Sequence, residues 1–210
     1  MQPTKLPLYS GAAAGLLFWI TTLICGSIHG NYNHLNGTIS ELGALGTRSQ
    51  YVFSVFVLAD AFLGILFFTE LFKACKEMGV SVIPTLPIVA HCLSLGGIAF
   101  FPQGTNLHPV VGQLSLLIIL GPLLAMLLWR KKEFLFIRLV SLISLILMIV
   151  ALLLVLTDWA PPGLRQNYDG LIQRLFHAGW SFWFIGLSVG FIRRIHVQTR
   201  WMDVKDRLKL

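Results

Sequence analysis

The stretch FLFIRLVSLISLILMIVALLLVLT, residues 134–157, decides the fold class of this chain. It carries one charged residue, Arg138, near its beginning, and Leu, Ile and Val fill most of the other positions. A helix needs about 20 consecutive apolar residues to cross the roughly 30 Å hydrocarbon core of a bilayer. The stretch therefore predicts a transmembrane helix that is apolar on all sides and faces lipid. Arg138 can extend along such a helix to the membrane surface.

Five further apolar runs accompany this one and extend the prediction to the whole chain. The mean hydropathy is +0.77 and 12% of the residues are charged, which excludes an ordinary soluble domain. No stretch has the composition of a separate soluble domain. We therefore predict an all-α polytopic membrane protein, a single domain over residues 1–210. Its helices are expected near residues 8–30, 51–72, 84–101, 109–129, 134–157 and 170–192, with a basic tail at 193–210.

Basic residues are divided unequally between the two ends of this predicted bundle. Of the 16 Lys and Arg, only Arg48, Arg165 and Arg174 fall on the side opposite the termini. By the positive-inside rule both termini are predicted to be cytoplasmic, and the expected location is a bacterial inner membrane. The formal charge of +7 sits at helix ends rather than along a groove. Membrane lipid is therefore the expected partner, and nucleic acid is not.

Polar side chains concentrate on the predicted outer side, in loop one (31–50), loop three (102–108) and loop five (158–169). On helix six, Gln173, His177 and Ser181 recur at every fourth position beside Arg174, so that they share one face. A polar stripe at membrane depth must face the bundle interior or a water-filled cavity. We therefore predict an outward-facing polar pocket. Its ligand-binding residues are His34, Ser40, Glu41, His108, Gln173, Arg174, His177 and Ser181.

Loop one contains the segment Thr38-Ile39-Ser40-Glu41-Leu42-Gly43, which allows two interpretations. Ser40 and Glu41 could act as nucleophile and base, although adjacent side chains rarely face each other productively. The favoured interpretation is a short helix capped by Thr38 or Ser40, with Glu41 in its first turn. Glu41 is also predicted to pair with Arg174 and so to tie loop one over the pocket. The alternative is that Arg174 faces headgroup phosphates.

Two further groups of ionisable residues are candidates. His34, His108 and His177 could supply three ligands to a zinc ion that keeps an open position, but no HExxH or HxxxH spacing supports this. Hydrogen-bonding histidines are therefore the main expectation. Asp60 and His91 are expected at similar depths on neighbouring antiparallel helices. We predict that they touch or share a water, as an interhelical clamp or, alternatively, as a proton relay.

Several short motifs resemble those of a known family. The segment Ile39–Gly43, then Phe101-Pro102 followed by His108 and Gly112, then Gln173-Arg174-Leu175, is similar to the prokaryotic predicted-membrane-protein family called domain of unknown function nine-nine-eight. The first of these segments also has a distant similarity to the Frag–DRAM–Sfk membrane family. The resemblance implies six helices and little about a reaction. An acidic residue commonly follows the Phe-Pro pair in that family, and this chain has Gln103 and Gly104 there. If that carboxylate is a metal ligand or a base in the family, its absence puts the activity in doubt for this chain.

The sequence leaves three classes of function open. The leading hypothesis is an outward-facing pocket that binds a lipid headgroup or a small amphiphile. The first alternative is a metal-dependent, membrane-embedded lipid hydrolase, in which a histidine-bound metal activates water. The second alternative is a non-catalytic membrane scaffold. A transporter is expected least, because the sequence shows no inverted repeat and no pair of broken helices. The sequence does not indicate the oligomeric state.

Overall fold

The computed structural model describes residues 6–156 and 163–208 and contains helices and loops in these ranges. Six segments of these ranges are long and apolar enough to cross a membrane, which confirms the prediction of an all-α, six-helix membrane protein. Trp159, Pro161 and Pro162 of predicted loop five lie outside the described residues. The helices are α1 (Tyr9–His29), α2 (Gln50–Glu77), α3 (Leu86–Phe100), α4 (His108–Gln113), α5 (Leu120–Leu128), α6 (Leu135–Leu156) and α7 (Leu164–Leu208).

Two helices are longer than their apolar runs. The α2 helix continues past Phe72 to Glu77, so Lys73 lies on the helix and forms a 2.7 Å ion pair with Glu70. The α7 helix begins before Gly170 and continues to Leu208, through the predicted basic tail. Lys, Arg and Glu are good helix formers, so a helix need not end where the hydrocarbon does.

The α6 helix lies against α7 along one face and is exposed around the rest of its circumference. Val140 and Met148 of α6 pack onto Gly186 and Gly179 of α7, where any Cβ atom would collide with them. Small residues at a helix interface let two backbones approach closely in a membrane. The α6–α7 pair is therefore a fixed wall of the bundle, while the exposed face of α6 is available to lipid.

The fourth membrane span combines α4, the 3₁₀ helix Leu114–Ile119 and α5. Pro122 follows the 3₁₀ segment; it lacks an N–H, and its ring crowds the carbonyl four residues earlier, so regular α geometry is disfavoured there. The α5 part packs extensively against α6, whereas α4 makes few contacts with α6. Span four and α6 therefore separate toward the end of the bundle that carries loop one. We call this the loop-one end.

Candidate functional site

A cavity of about 500 Å³ lies inside the bundle near the loop-one end, between α1, α2, α3, span four, α6 and α7. Its walls are mainly aliphatic and aromatic, for example Phe18, Val57 and Phe176. Leu116 of span four and Leu156 of α6 line it where these two elements separate, and both side chains are exposed. The polar side chains on its walls are Thr38, Ser40, His108, Gln113, Ser115, Asp169, Gln173 and His177.

Gln173 and His177 lie one turn apart on α7 and both line the cavity, as predicted from their spacing. The Gln173 side-chain oxygen accepts a 2.6 Å hydrogen bond from the backbone N–H of Ile39. This bond distinguishes the oxygen of the Gln173 amide from its NH₂ group, which points away from Ile39. Trp180 Nε1 donates to His177 Nδ1 at 2.7 Å. Because indole can only donate, Nδ1 is unprotonated and the ring proton is on Nε2. Both side chains thus retain N–H donors.

Ser181, the third member of the predicted stripe, does not reach the cavity. Its hydroxyl donates to the carbonyl oxygen of His177 at 2.8 Å and accepts from Trp19 Nε1 at 3.0 Å. It is 2% exposed. Trp19 covers this deeper turn of α7, so Ser181 is not among the residues that line the cavity, and its role in ligand binding stays a prediction.

The segment after Thr38 forms the 3₁₀ helix Ile39–Gly43. The Glu41 carboxylate accepts hydrogen bonds from the backbone N–H and the hydroxyl of Thr38, at 3.1 and 3.0 Å. This is a capping box, in which cap and third residue satisfy each other's polar groups. It matches the favoured interpretation of loop one, with Thr38 as the cap. Ser40 lines the cavity, whereas Glu41 does not.

Arg174 fastens loop one to α7, but not through Glu41. One guanidinium nitrogen donates to the carbonyl oxygens of Gly37 (2.9 Å) and Gly170 (2.8 Å). The other donates to Tyr32 Oη (2.8 Å) and His34 Nδ1 (3.1 Å). The predicted Arg174–Glu41 pair is wrong, because Thr38 engages the carboxylate locally. The lipid-facing alternative is wrong too, since Arg174 is 9% exposed.

The backbone of α7 supports the same contact. Tyr168 departs from helical geometry (φ −137°, ψ 18°), which releases the next amide groups from the helix. Gly170 N–H and Leu171 N–H donate to the carbonyl oxygens of Asn36 (3.2 Å) and Leu35 (2.8 Å). Loop one is therefore held by backbone and side-chain hydrogen bonds at a single turn of α7.

The local environment shifts two pKa values in loop one. Burial raises the pKa of Tyr32, and the hydrogen bond from Arg174 opposes this shift. Burial lowers the pKa of His34, and the nearby positive charge of Arg174 lowers it further. His34 contacts Arg174 and packs beside Tyr32. Neither His34 nor Arg174 lines the cavity, and their role in ligand binding stays a prediction.

The three histidines of the zinc hypothesis occupy different surroundings. His177 and His108 both line the cavity, and Nδ1 of His108 lies 2.9 Å from the carbonyl oxygen of Phe101. His34 instead accepts a hydrogen bond from Arg174. Within residues 6–156 and 163–208, no three His, Cys, Asp or Glu side chains form a group that could hold a metal. Zinc binding stays a prediction.

Asp60 and His91 are both buried, but no hydrogen bond joins them. His91 Nδ1 lies 3.0 Å from the hydroxyl of Ser115. In the described part of the chain, neither Asp60 oxygen has a hydrogen-bond partner, and neither does His91 Nε2. The predicted direct contact is therefore not made through a hydrogen bond, because equal depth does not decide which way a side chain points around its helix. A shared water, as a clamp or a proton relay, stays a prediction. His91 turns toward Trp180, whose ring lies 4.5 Å away.

Ser115 is a cavity residue that the sequence reasoning missed. It is a lone serine within an apolar helix, a pattern that by itself indicates little. The short loop between helices three and four indicates that Ser115 on helix four can lie near His91 on helix three. Short connections make consecutive helices antiparallel neighbours.

A family model described as Protein of unknown function (DUF998) matches residues 12–190. None of the curated proteins and none of the solved structures compared with the chain matches it. The family match covers the cavity, loop one, four of the six membrane spans completely, the first from residue 12 and the last to residue 190. It does not bear on the similarity to the Frag–DRAM–Sfk family, which stays a prediction.

Proposed function

The chain belongs to the DUF998 family, and we propose that this multi-pass membrane protein binds an amphiphile in the cavity at its loop-one end. The observation that carries the proposal is the combination of apolar walls with the N–H donors that Gln173 and His177 keep after their hydrogen bonds to Ile39 and Trp180. Small-molecule sites usually have volumes of roughly 300–1,000 Å³, mostly apolar walls and a few placed polar groups. The cavity, at about 500 Å³, fits that pattern.

The polar groups favour an uncharged headgroup that accepts hydrogen bonds. Among the described residues that line the cavity there is no Lys or Arg, and Asp169 contributes an acidic group. A phosphate would lack the cationic partner that usually binds it. An amide, an ester or a hydroxyl group can instead accept from Gln173 and His177. We therefore propose a neutral, single-chain amphiphile as the ligand class.

The gap between span four and α6 supports entry from the membrane. Leu116 and Leu156 border both the cavity and the protein surface there. An apolar chain that passes between these helices stays in contact with apolar side chains, so it need not cross water. The ligand is proposed to move sideways from the bilayer into the cavity.

We also propose that the cavity opens on the outer side of a bacterial inner membrane, with both termini cytoplasmic. The unequal distribution of Lys and Arg supports this orientation. Cysteines introduced by Asn36→Cys and Lys76→Cys test it, because the native Cys25, Cys75 and Cys92 are buried. An impermeant thiol reagent applied from outside should modify the first variant and spare the second. The reverse pattern would reject the orientation.

A matched pair of substitutions on α6 tests the binding. Ala151 is 2% exposed and lines the cavity, whereas its neighbour Val150 is 40% exposed and does not line it. A fatty-acid ethanolamide with a brominated chain serves as the probe, since bromine quenches the fluorescence of nearby tryptophan rings. Trp180 packs against Phe18 and His177, which line the cavity. Ala151→Phe should fill the cavity and weaken saturable quenching at least about tenfold, equal to about 1.4 kcal/mol. Val150→Phe should leave it unchanged. Equal quenching in both variants would contradict the proposal.

A further inference from the structure

Ser115 places a hydroxyl group on the cavity wall beside an imidazole. Its Oγ lies 3.0 Å from Nδ1 of His91. It belongs to the 3₁₀ segment Leu114–Ile119 of span four. A serine hydroxyl hydrogen-bonded to a base is the arrangement that activates serine as a nucleophile. The pair therefore has the chemistry of a nucleophile and its base.

The direction of the hydrogen bond suits this chemistry. Among the described residues, the Ser115 hydroxyl has no hydrogen-bond partner other than His91. Its hydrogen is therefore assigned toward Nδ1, which leaves the ring proton on Nε2. The His91 ring lies 4.5 Å from Trp180 and 5.9 Å from Phe184, measured between ring centroids. These two rings fix the imidazole, so its distance to Ser115 is held by packing.

We propose that Ser115 and His91 form a catalytic dyad that cleaves an ester bound in the cavity. This inference rests on the proposed function, because the cavity must first bind the amphiphile. The substrate class is a neutral, single-chain ester, such as a monoacylglycerol. Its carbonyl group would face the polar wall, and its alkyl chain would lie along the apolar one.

The reaction proceeds through an acyl-serine. Ser115 Oγ attacks the ester carbonyl carbon, His91 Nδ1 takes the hydroxyl proton, and the carbonyl electron pair moves onto oxygen. The intermediate then expels the alcohol, which leaves with the proton from His91. Water is the second reactant: it attacks the acyl-serine, gives a proton to His91, and the carboxylic acid departs as Ser115 regains its proton. The N–H donors of Gln173 and His177 line the same cavity and are available to the oxyanion.

A long-chain alkyl fluorophosphonate tests the dyad on the full-length protein in detergent micelles. This reagent forms a stable bond with an activated serine, and peptide mapping locates the adduct without any substitution. The expected result is one adduct, on Ser115. Ser115→Ala should abolish it, and His91→Gln should slow it by about a hundredfold or more, because a general base contributes that much.

Ser144→Ala is the matched control. Ser144 is also a buried serine of a membrane span, and in the described ranges its hydroxyl has no hydrogen-bond partner. Its removal should leave the labelling rate unchanged. Binding of the brominated ethanolamide, measured in parallel, separates the two proposals, since its amide group resists cleavage and reports binding alone.

An adduct on Ser115 that depends on His91 supports the dyad. An adduct on another residue only, or no adduct while the ethanolamide binds saturably, overturns the dyad and leaves the binding function standing. If neither reagent binds, both proposals are rejected.

Discussion

Trp180 donates a 2.7 Å hydrogen bond from its indole nitrogen to Nδ1 of His177, one turn earlier on α7. The indole is fully buried, so His177 satisfies a polar group that no water can reach. The same bond fixes the imidazole tautomer and leaves an N–H donor on a cavity-lining side chain. His177 thus has a structural role on one ring nitrogen and a proposed binding role on the other.

His177→Leu should lower the free energy of unfolding by about 1–3 kcal/mol, because it leaves the Trp180 N–H buried without an acceptor. His177→Gln should cost less, since its side-chain oxygen can accept the same hydrogen bond. Chemical denaturation in a fixed detergent, followed by circular dichroism, measures both. Equal losses in the two variants would show that the Trp180 bond contributes little.

Arg174→Lys should loosen loop one. The guanidinium donates to Gly37, Gly170, Tyr32 and His34, and an ammonium group cannot reach acceptors on both sides of that fork. Each hydrogen bond to a charged group is worth about 1.5–3 kcal/mol, so amide exchange in residues 32–38 should accelerate accordingly. Arg48→Lys is the control, because Arg48 is an exposed residue of the same loop. Similar exchange in both variants would mean that Arg174 does not hold the loop.

Glu41→Gln should leave loop one unchanged, and Glu41→Leu should destabilise it by about 0.5–2 kcal/mol. Gln can replace Glu in a capping box, whereas Leu cannot accept the hydrogen bonds from Thr38. An Arg174–Glu41 ion pair would instead make both variants harmful. Amide-exchange protection of residues 38–44 distinguishes the two cases.

The closure of loop one should weaken in acid. Burial and the charge of Arg174 lower the pKa of His34 from its ordinary 6.5, so the closed loop favours neutral imidazole. The contribution of His34 to the stability of the closed loop is therefore complete above pH 6.5 and declines as the pH falls through 6.5 toward the lowered pKa. A spin label attached through Asn36→Cys should become more mobile over that range.

His34→Gln provides the control for this pH dependence. The Gln oxygen can accept from Arg174 and does not titrate, so the label should report the same mobility at each pH. Tyr32, Arg174, His29 and Glu41 surround the contact and remain in both proteins. A pH profile shared by the two proteins would contradict the assignment of the pH dependence to His34.

The membrane spans could be predicted because a run of apolar residues directly encodes the length of a transmembrane helix. The ends of α2 and α7 could not, since Lys73 and the residues after Ile192 continue a helix without being apolar. The spacing of Gln173 and His177 also placed both correctly on one wall. Ser181 shares their face but lies deeper, where Trp19 covers it.

The partners of Arg174 could not be predicted from residue types. Two of them are backbone carbonyl oxygens, of Gly37 and Gly170, which every residue carries. Glu41 is the expected partner by charge, but its carboxylate accepts a hydrogen bond from Thr38, three residues earlier. The Ser115–His91 contact depends on how two helices are rotated about their axes, and a sequence alone does not specify that rotation when both helices are apolar on most sides.

Photoaffinity labelling tests the binding function most directly. A fatty-acid ethanolamide with a diazirine in its chain, irradiated with the protein in lipid nanodiscs, should label residues that line the cavity, such as Phe18, Val57 and Phe176. Excess unlabelled ethanolamide should suppress this labelling, and Ala151→Phe should remove it. Labelling confined to outward-facing residues such as Phe62 and Leu139, unaffected by competitor, would contradict the account.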